Sequence, residues 1–215
     1  RLAAEGVRFE QCHTQHTACS PSRCAMMTGW YPHVAGHRSL WHLLRPHEPN
    51  LFKYLKRAGY DVHWFGKNDL LAAESYDDSV THAEMAFGSG RLTGGTNPYE
   101  LSDPRYYSFL YEPWDGPVDA HHDGANVQRG IEFLQSRGAR DNPFCLYLPL
   151  GYPHCPYTCR RDFYEMYDPD ALPPLRPADL PGKPEFHRRI RATRRLDECD
   201  DAHLRKINAV YLGMT

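Results

Sequence analysis

The alternation of strand-like and helix-like segments is the feature that most constrains the fold of this chain. FCLYLPL (144–150) is a nearly continuous apolar run, which is typical of a strand buried on both sides of a sheet. DVHWFG (61–66) and VRFEQCHT (7–14) also have the composition of strands. Because strands that alternate with helices favour parallel pairing, the sequence predicts an α/β fold with a mostly parallel sheet and helices on both faces.

Helical patterns separate these strand candidates. Leu51, Leu55 and Ala58 are spaced as one face of a helix, and Gly59 follows where a C-terminal glycine is expected. Proline blocks the hydrogen bonds of helices and strands, so the proline-rich range 168–184 is predicted to be irregular. Two further apolar faces predict helices: Val127, Ile131 and Leu134, before Gly138, and Leu204, Ile207 and Tyr211.

Composition and charge exclude two classes of partner. The 215 residues are 41% hydrophobic and 24% charged, which is an ordinary globular mix. A net charge of −2 gives no general attraction to nucleic acid, and no apolar run approaches the length of a membrane span. The sequence therefore predicts neither a nucleic-acid partner nor a membrane-spanning segment.

The chain has seven cysteines, which is an odd number, so a framework of disulfides would leave one cysteine unpaired. A structural zinc site at His154, Cys155 and Cys159 is an alternative interpretation of part of this set. The chain has no CxxC motif and no second cluster at zinc-like spacing, which disfavours it.

Three polar residues follow the strand candidates at their carboxyl ends. Cys19 comes shortly after 7–14, Lys67 directly after 61–66, and His154 after 144–150. Ligands of open α/β sheets gather at this edge, so we expect these side chains to lie near one another.

The stretch CSPSR, from Cys19 to Arg23, predicts an anion site at the start of a short helix. Ser20 is the expected N-cap and Pro21 the first helical residue, and Thr28-Gly29 is the expected end. Free N–H groups at a helix N-terminus favour anions, and an arginine there can hold a tetrahedral oxyanion through two hydrogen bonds. With Lys67 as a further cation, the sequence predicts a site for a sulfate or phosphate group.

CSPSR followed by Thr28-Gly29 resembles the signature of the type I sulfatases, C-x-P-S-R-x-x-x-x-T-G. The resemblance extends over most of the chain: LAAEGVRF looks like the entry to the site, FGK with Lys67 like the second motif, and YPHCPY with His154 like the third. The fold that the resemblance implies is that of the alkaline phosphatase superfamily.

The resemblance implies that Cys19 is oxidised to formylglycine by a separate formylglycine-generating enzyme. One hydroxyl of the hydrated aldehyde attacks sulfur, and the other expels sulfate by re-forming the aldehyde. By the same resemblance, Arg23 stabilises the hydrated aldehyde, Lys67 binds sulfate oxygens, and His154 contacts the sulfate or protonates the leaving oxygen.

The resemblance also implies a calcium ion, or another divalent metal, with the modified Cys19 as one ligand. The other ligands of the family lie outside the segments matched here. Both ends of the chain interrupt predicted elements, so residues 1–215 are interpreted as part of a catalytic domain, with loop-rich insertions at 67–119 and 151–184. The isolated chain is expected to be weakly active or inactive.

Asp69 departs from the family pattern, because GKND stands where G-K-W-H is common. An acid beside an anionic sulfate is repulsive unless it binds substrate hydroxyls or a cationic group, and Asp69 as a surface acid or N-cap is the simpler interpretation. His121 and His122 are candidates to replace the missing histidine in substrate binding, or are surface or capping residues.

Three functions stay open from the sequence. The first is a sulfatase that acts on an aryl or carbohydrate sulfate ester, with a sulfated small molecule or glycan as partner. The second is a phosphate or phosphonate ester hydrolase of the same superfamily, and the third is a non-catalytic relative that binds anionic sugars. The compartment is not encoded in the motifs: a periplasmic or secreted location is expected before a cytoplasmic one.

Overall fold

The computed structural model describes residues 2–84, 95–139 and 141–215, without the side chain of Leu2. Short helices and one small sheet make up its regular structure. The helices are α1 (Leu2–Glu5), α2 (Cys19–Thr28), α3 (Leu51–Arg57), α4 (Tyr76–Ser79), α5 (His122–Ser136), α6 (Arg161–Tyr164), α7 (Glu185–Thr193) and α8 (Asp201–Met214). The strands are β1 (Asp61–Phe65), β2 (His82–Glu84) and β3 (Phe144–Tyr147).

The chain forms two compact units, and the sheet belongs to the first, which comprises residues 1–85 and 133–149. The strand order is β2-β1-β3, and β1 pairs in parallel with both neighbours. Trp64 of β1 lies opposite Tyr147 of β3. The predicted α/β class with a parallel sheet is therefore confirmed.

An aromatic and aliphatic core holds the first unit together. Trp64 is fully buried and packs against Phe52 and Tyr147, with ring centroids 5.6 and 4.9 Å away. Large aromatic side chains contribute most of the buried area of such a core. The buried residues of the cluster are Cys24, Met27, Leu44, Phe52, Val62, Trp64, Leu70, Leu71 and Val80.

The second unit comprises residues 86–132 and 150–215 and is built without a named strand in its described residues. Its core lies around α8 and α6, and it includes Leu110, Cys159, Tyr164, Val210 and Met214. The range 168–184 is irregular except for one 3-10 turn at Pro169–Ala171, as its prolines predict.

The strand predicted at residues 7–14 is wrong. This segment has no strand, and Val7 and Phe9 are 81% and 75% exposed. A strand is stabilised by hydrogen bonds to a neighbouring strand, and no described strand pairs with this segment. Strand-like composition alone is therefore not enough to form a strand in this segment.

The predicted apolar segments form the expected elements but are less buried than their patterns indicate. On α5, Val127, Ile131 and Leu134 are 37–48% exposed, while Asp123 and Asn126 are among the buried residues of the helix. The strand β3 is at the edge of the described sheet and is half-buried rather than covered on both faces. The helix α3 begins and ends where its pattern predicts.

Candidate active site

Cys19 is the first residue of α2 and follows a loop that the chain's own hydrogen bonds hold in place. The Ala18 N–H donates to His16 Nδ1 at 2.9 Å, and the Ser22 N–H donates to the Ala18 carbonyl at 3.1 Å. These bonds make Ala18 the N-cap, so the predicted N-cap role of Ser20 is wrong. Ser20 is instead buried, and its hydroxyl donates to the Leu40 carbonyl.

The start of α2 is the place where the sequence predicts an anion site. The first N–H groups of an α-helix have no partner within the helix, and Cys19 stands at that end. At the other end, Gly29 adopts the left-handed conformation with φ of 74°, which closes α2 after Thr28 as predicted. The short helix is therefore a fixed support for Cys19.

Arg23 lies one helical turn after Cys19, on the same face of α2. Its Nη1 donates a hydrogen bond of 2.9 Å to the hydroxyl of Tyr147. Tyr147 ends β3 and packs against Phe52 and Trp64 of the core. Tyr147 of the sheet thus holds the guanidinium of Arg23 in place.

Lys67 follows the carboxyl end of β1 and is separated from it by Gly66. Gly66 has a φ of 131°, which is accessible to glycine and strained for other residues. The Lys67 N–H then donates to the Pro149 carbonyl at 3.0 Å, so its backbone is tied to the segment that follows β3. Lys67 therefore lies just beyond the carboxyl end of β1, as predicted.

Asp69 lies between the two cations. Its Oδ2 is 2.9 Å from Lys67 Nζ and 4.0 Å from Arg23 Nε. The three side chains are 20–27% exposed, so they are partly shielded from water. Arg23, Lys67 and Asp69 therefore form one charged cluster, which we call the 23–67–69 cluster.

The turn at Asn68 holds Asp69 in place. Asn68 Oδ1 accepts hydrogen bonds from the N–H groups of Leu70 and Leu71, and its Nδ2 donates to the Leu71 carbonyl. Leu70 and Leu71 are themselves fully buried in the core. Because residues on both sides are anchored, Asp69 belongs to a rigid segment rather than to a free surface loop.

Replacing Tyr147 with phenylalanine is expected to loosen Arg23 without disturbing the core. The change removes one hydrogen bond to a charged donor and is expected to lower the free energy of unfolding by about 1.5 kcal/mol. Urea unfolding measures this change. Tyr54→Phe, at an exposed tyrosine of α3, is the matched control, and equal stability of the two variants would contradict the anchoring role.

His154 belongs to the second unit and lies exposed on a turn. Its Nδ1 is 2.6 Å from the Cys155 carbonyl, and its backbone N–H donates to the Gly151 carbonyl. Since a carbonyl only accepts, Nδ1 carries a proton, and in the neutral ring Nε2 is the free acceptor. His154 can therefore exchange a proton with another molecule through Nε2.

His121 and His122 also belong to the second unit and have different surroundings. His121 is buried and stacks between Trp114 and Tyr152, with centroid distances of 5.6 and 4.4 Å. Burial, with a smaller effect of the neighbouring His122, lowers the pKa of His121 to about 4. His121 is thus neutral at neutral pH, and its contact with a substrate stays a prediction, as does that of His122.

Asp123 is a structural residue of this region that was not predicted from the sequence. Its Oδ1 accepts the Gly151 N–H at 2.7 Å and its Oδ2 accepts the Tyr152 N–H at 2.8 Å. Gly151 lies close to His122, since a Cβ at this position would be 2.5 Å from His122 Nε2 and would force the imidazole to shift. An aspartate in the first turn of a predicted helix was the available sequence signal.

Calcium does not suit the group of His, Cys, Asp or Glu side chains that lies together in the described residues. Among them, the one group of three with metal-ligating atoms close together is His121, His122 and Asp123, within 4.8 Å of one another. Calcium takes about six to eight oxygen ligands, whereas this group offers two imidazoles and a carboxylate already bonded to backbone N–H groups. In the described part of the chain, Cys19 has no comparable set of ligands around it.

Comparisons with known proteins agree with the motifs. Residues 1–199 match the family model described as Sulfatase. The uncharacterized sulfatase YidJ of Escherichia coli (strain K12) is 28% identical, over 87% of this chain and 39% of its own length. The N-acetylgalactosamine-6-sulfatase of Mus musculus is also 28% identical, over 76% of this chain and 36% of its own length. The chain therefore spans less than two fifths of these curated relatives.

A solved structure shares the fold. The phosphonate monoester hydrolase SpPMH from Silicibacter pomeroyi superposes with a TM-score of 0.62 at 21% identity, covering 92% of this chain and 47% of that one. At this identity the likeness shows the fold alone, which is the predicted alkaline phosphatase/sulfatase type. In the described ranges, every helix is too short or too polar to cross a membrane.

Proposed function

Because the chain belongs to the sulfatase family, we propose that its protein hydrolyses a sulfate ester through a formylglycine made from Cys19. One observation carries the proposal. Cys19 heads α2, and Arg23, one turn further, lies in the same charged cluster as Lys67. A helix start with two nearby cations is suited to a tetrahedral oxyanion.

The roles that we propose for the residues are those that the family motifs imply. The hydrated formylglycine supplies a hydroxyl that attacks sulfur and a second that later expels sulfate. Arg23, which is held by Tyr147, stabilises the hydrate, and Lys67 binds sulfate oxygens. His154, in the form that carries a proton on Nε2, donates that proton to the leaving alcohol, a role that contributes roughly 10²–10⁴-fold to a rate.

A carbohydrate sulfate is the proposed substrate class. The support comes from the relative named N-acetylgalactosamine-6-sulfatase, while an aryl sulfate is the second candidate. A phosphonate ester has the same tetrahedral geometry as a sulfate ester, and a phosphonate monoester hydrolase has the same fold as this chain. The C-x-P-x-R motif, which the modifying enzyme recognises, nevertheless favours a sulfate ester. Asp69 is the one feature in favour of a non-catalytic anion-binding relative.

A mass spectrum of the peptide containing Cys19 tests the proposal. We expect that co-expression with a formylglycine-generating enzyme converts the CH2–SH of Cys19 to an aldehyde, because Pro21 and Arg23 complete the recognised motif. An Arg23→Ala chain is the control and should stay unmodified. A wild-type peptide that keeps its thiol under these conditions would contradict the proposed function.

A further inference from the structure

We infer that Asp69 is a specificity-determining residue, which restricts the anion site to esters that carry a single negative charge. The inference rests on the proposed function only in placing the bound ester beside Arg23 and Lys67. It concerns the residue that departs from the common family pattern.

The charges of the 23–67–69 cluster add up to one positive charge. Arg23 and Lys67 contribute one each, and the carboxylate of Asp69, 2.9 Å from Lys67 and 4.0 Å from Arg23, cancels one of them. Sulfate monoesters and phosphonate monoesters carry one negative charge. Phosphate monoesters carry almost two at about pH 8, because their second pKa is near 6. The second negative charge would face Asp69 with no cation of the cluster left to balance it.

The surroundings of Asp69 make this repulsion effective. Its Oδ2 is buried and accepts no hydrogen bond from the described residues. The contact between Lys67 Nζ and Asp69 Oδ2 is therefore an ion pair whose angles do not suit a hydrogen bond. Charges that are shielded from water interact more strongly than exposed charges at the same distance. The anchored turn at Asn68 also prevents the carboxylate from moving far away.

Equilibrium binding of two matched esters tests the inference without turnover. Phenyl sulfate and phenyl phosphate have similar shapes and differ in charge at about pH 8. Isothermal titration calorimetry with the protein as its gene encodes it, expressed without the modifying enzyme so that Cys19 keeps its thiol, measures both affinities. We expect the wild type to bind phenyl sulfate about tenfold more tightly, and Asp69→Asn to reduce this preference by about tenfold, or about 1.4 kcal/mol, through tighter phosphate binding.

Control variants distinguish the effect of the Asp69 charge from the effect of its shape and from the effect of removing a carboxylate elsewhere. Asp69→Glu keeps the charge and should retain the preference for sulfate, while Asp69→Ser is a second neutral variant that should lose it. Asp77→Asn removes an exposed carboxylate of α4 and should leave the preference unchanged. Circular dichroism verifies that each variant is folded.

Two results would overturn the inference: an unchanged preference in both neutral variants, or a wild type that binds phenyl phosphate as tightly as phenyl sulfate or binds neither ester. Failure of the proposed function looks different. An unmodified Cys19 in the co-expressed protein would reject the sulfatase mechanism, yet it would leave the measured preference for the singly charged ester intact.

Discussion

Replacing Cys19 with serine is expected to lower sulfatase turnover by roughly 10⁴-fold or more, as is usual for loss of a catalytic nucleophile. The modifying enzyme acts on cysteine, so the Cys19→Ser variant would keep a single hydroxyl in place of the hydrated aldehyde. An attack by that hydroxyl on sulfur would give a stable sulfate ester, because no second hydroxyl is present to expel the sulfate. The measurement is kcat/KM with an aryl sulfate, on the protein as its gene encodes it.

Two other cysteines provide matched controls for this variant. Cys12 is exposed, and Cys12→Ser is expected to keep full activity. Cys24 follows the motif closely but is buried in the core, where burial raises the pKa of its thiol to about 12, so it stays protonated and unreactive. Full activity of Cys19→Ser, or a comparable loss in Cys12→Ser, would reject the role assigned to Cys19.

The elements that the sequence predicted correctly are those that local patterns determine. The helix α3 and the strand β1 follow from residue spacing and a closing glycine, and the position of Lys67 follows from β1. The end of α2 at Gly29 is also determined by the local sequence. These features need no information about distant parts of the chain.

The features that the sequence did not predict depend on distant partners. Arg23 is anchored by Tyr147, which is 124 residues away in the sequence. The sequence favours a surface acid or a helix cap at Asp69, yet Asp69 contacts Lys67 and Arg23, and only the fold brings Arg23 to it. The strand predicted at 7–14 is absent because its composition says nothing about a pairing partner.

The second large effect is expected from Asp123→Asn, which should lower the free energy of unfolding by about 3 kcal/mol. Each carboxylate oxygen of Asp123 accepts a backbone N–H, from Gly151 and from Tyr152, at 2.7 and 2.8 Å. Hydrogen bonds to charged groups are worth about 1.5–3 kcal/mol each. An asparagine keeps one acceptor and turns an NH2 group toward the other N–H, which then loses its partner.

The same substitution tests how the turn that carries His154 is held. His154 donates its backbone N–H to the Gly151 carbonyl, so release of Gly151 is expected to loosen His154 as well. Urea unfolding gives the change in stability, and hydrogen exchange of the Gly151 and Tyr152 amides should accelerate locally. Asp119→Asn, at an exposed acid nearby, should change neither. If Asp123→Asn left both the stability and the exchange of these two amides unchanged, Asp123 would not be the residue that holds this turn.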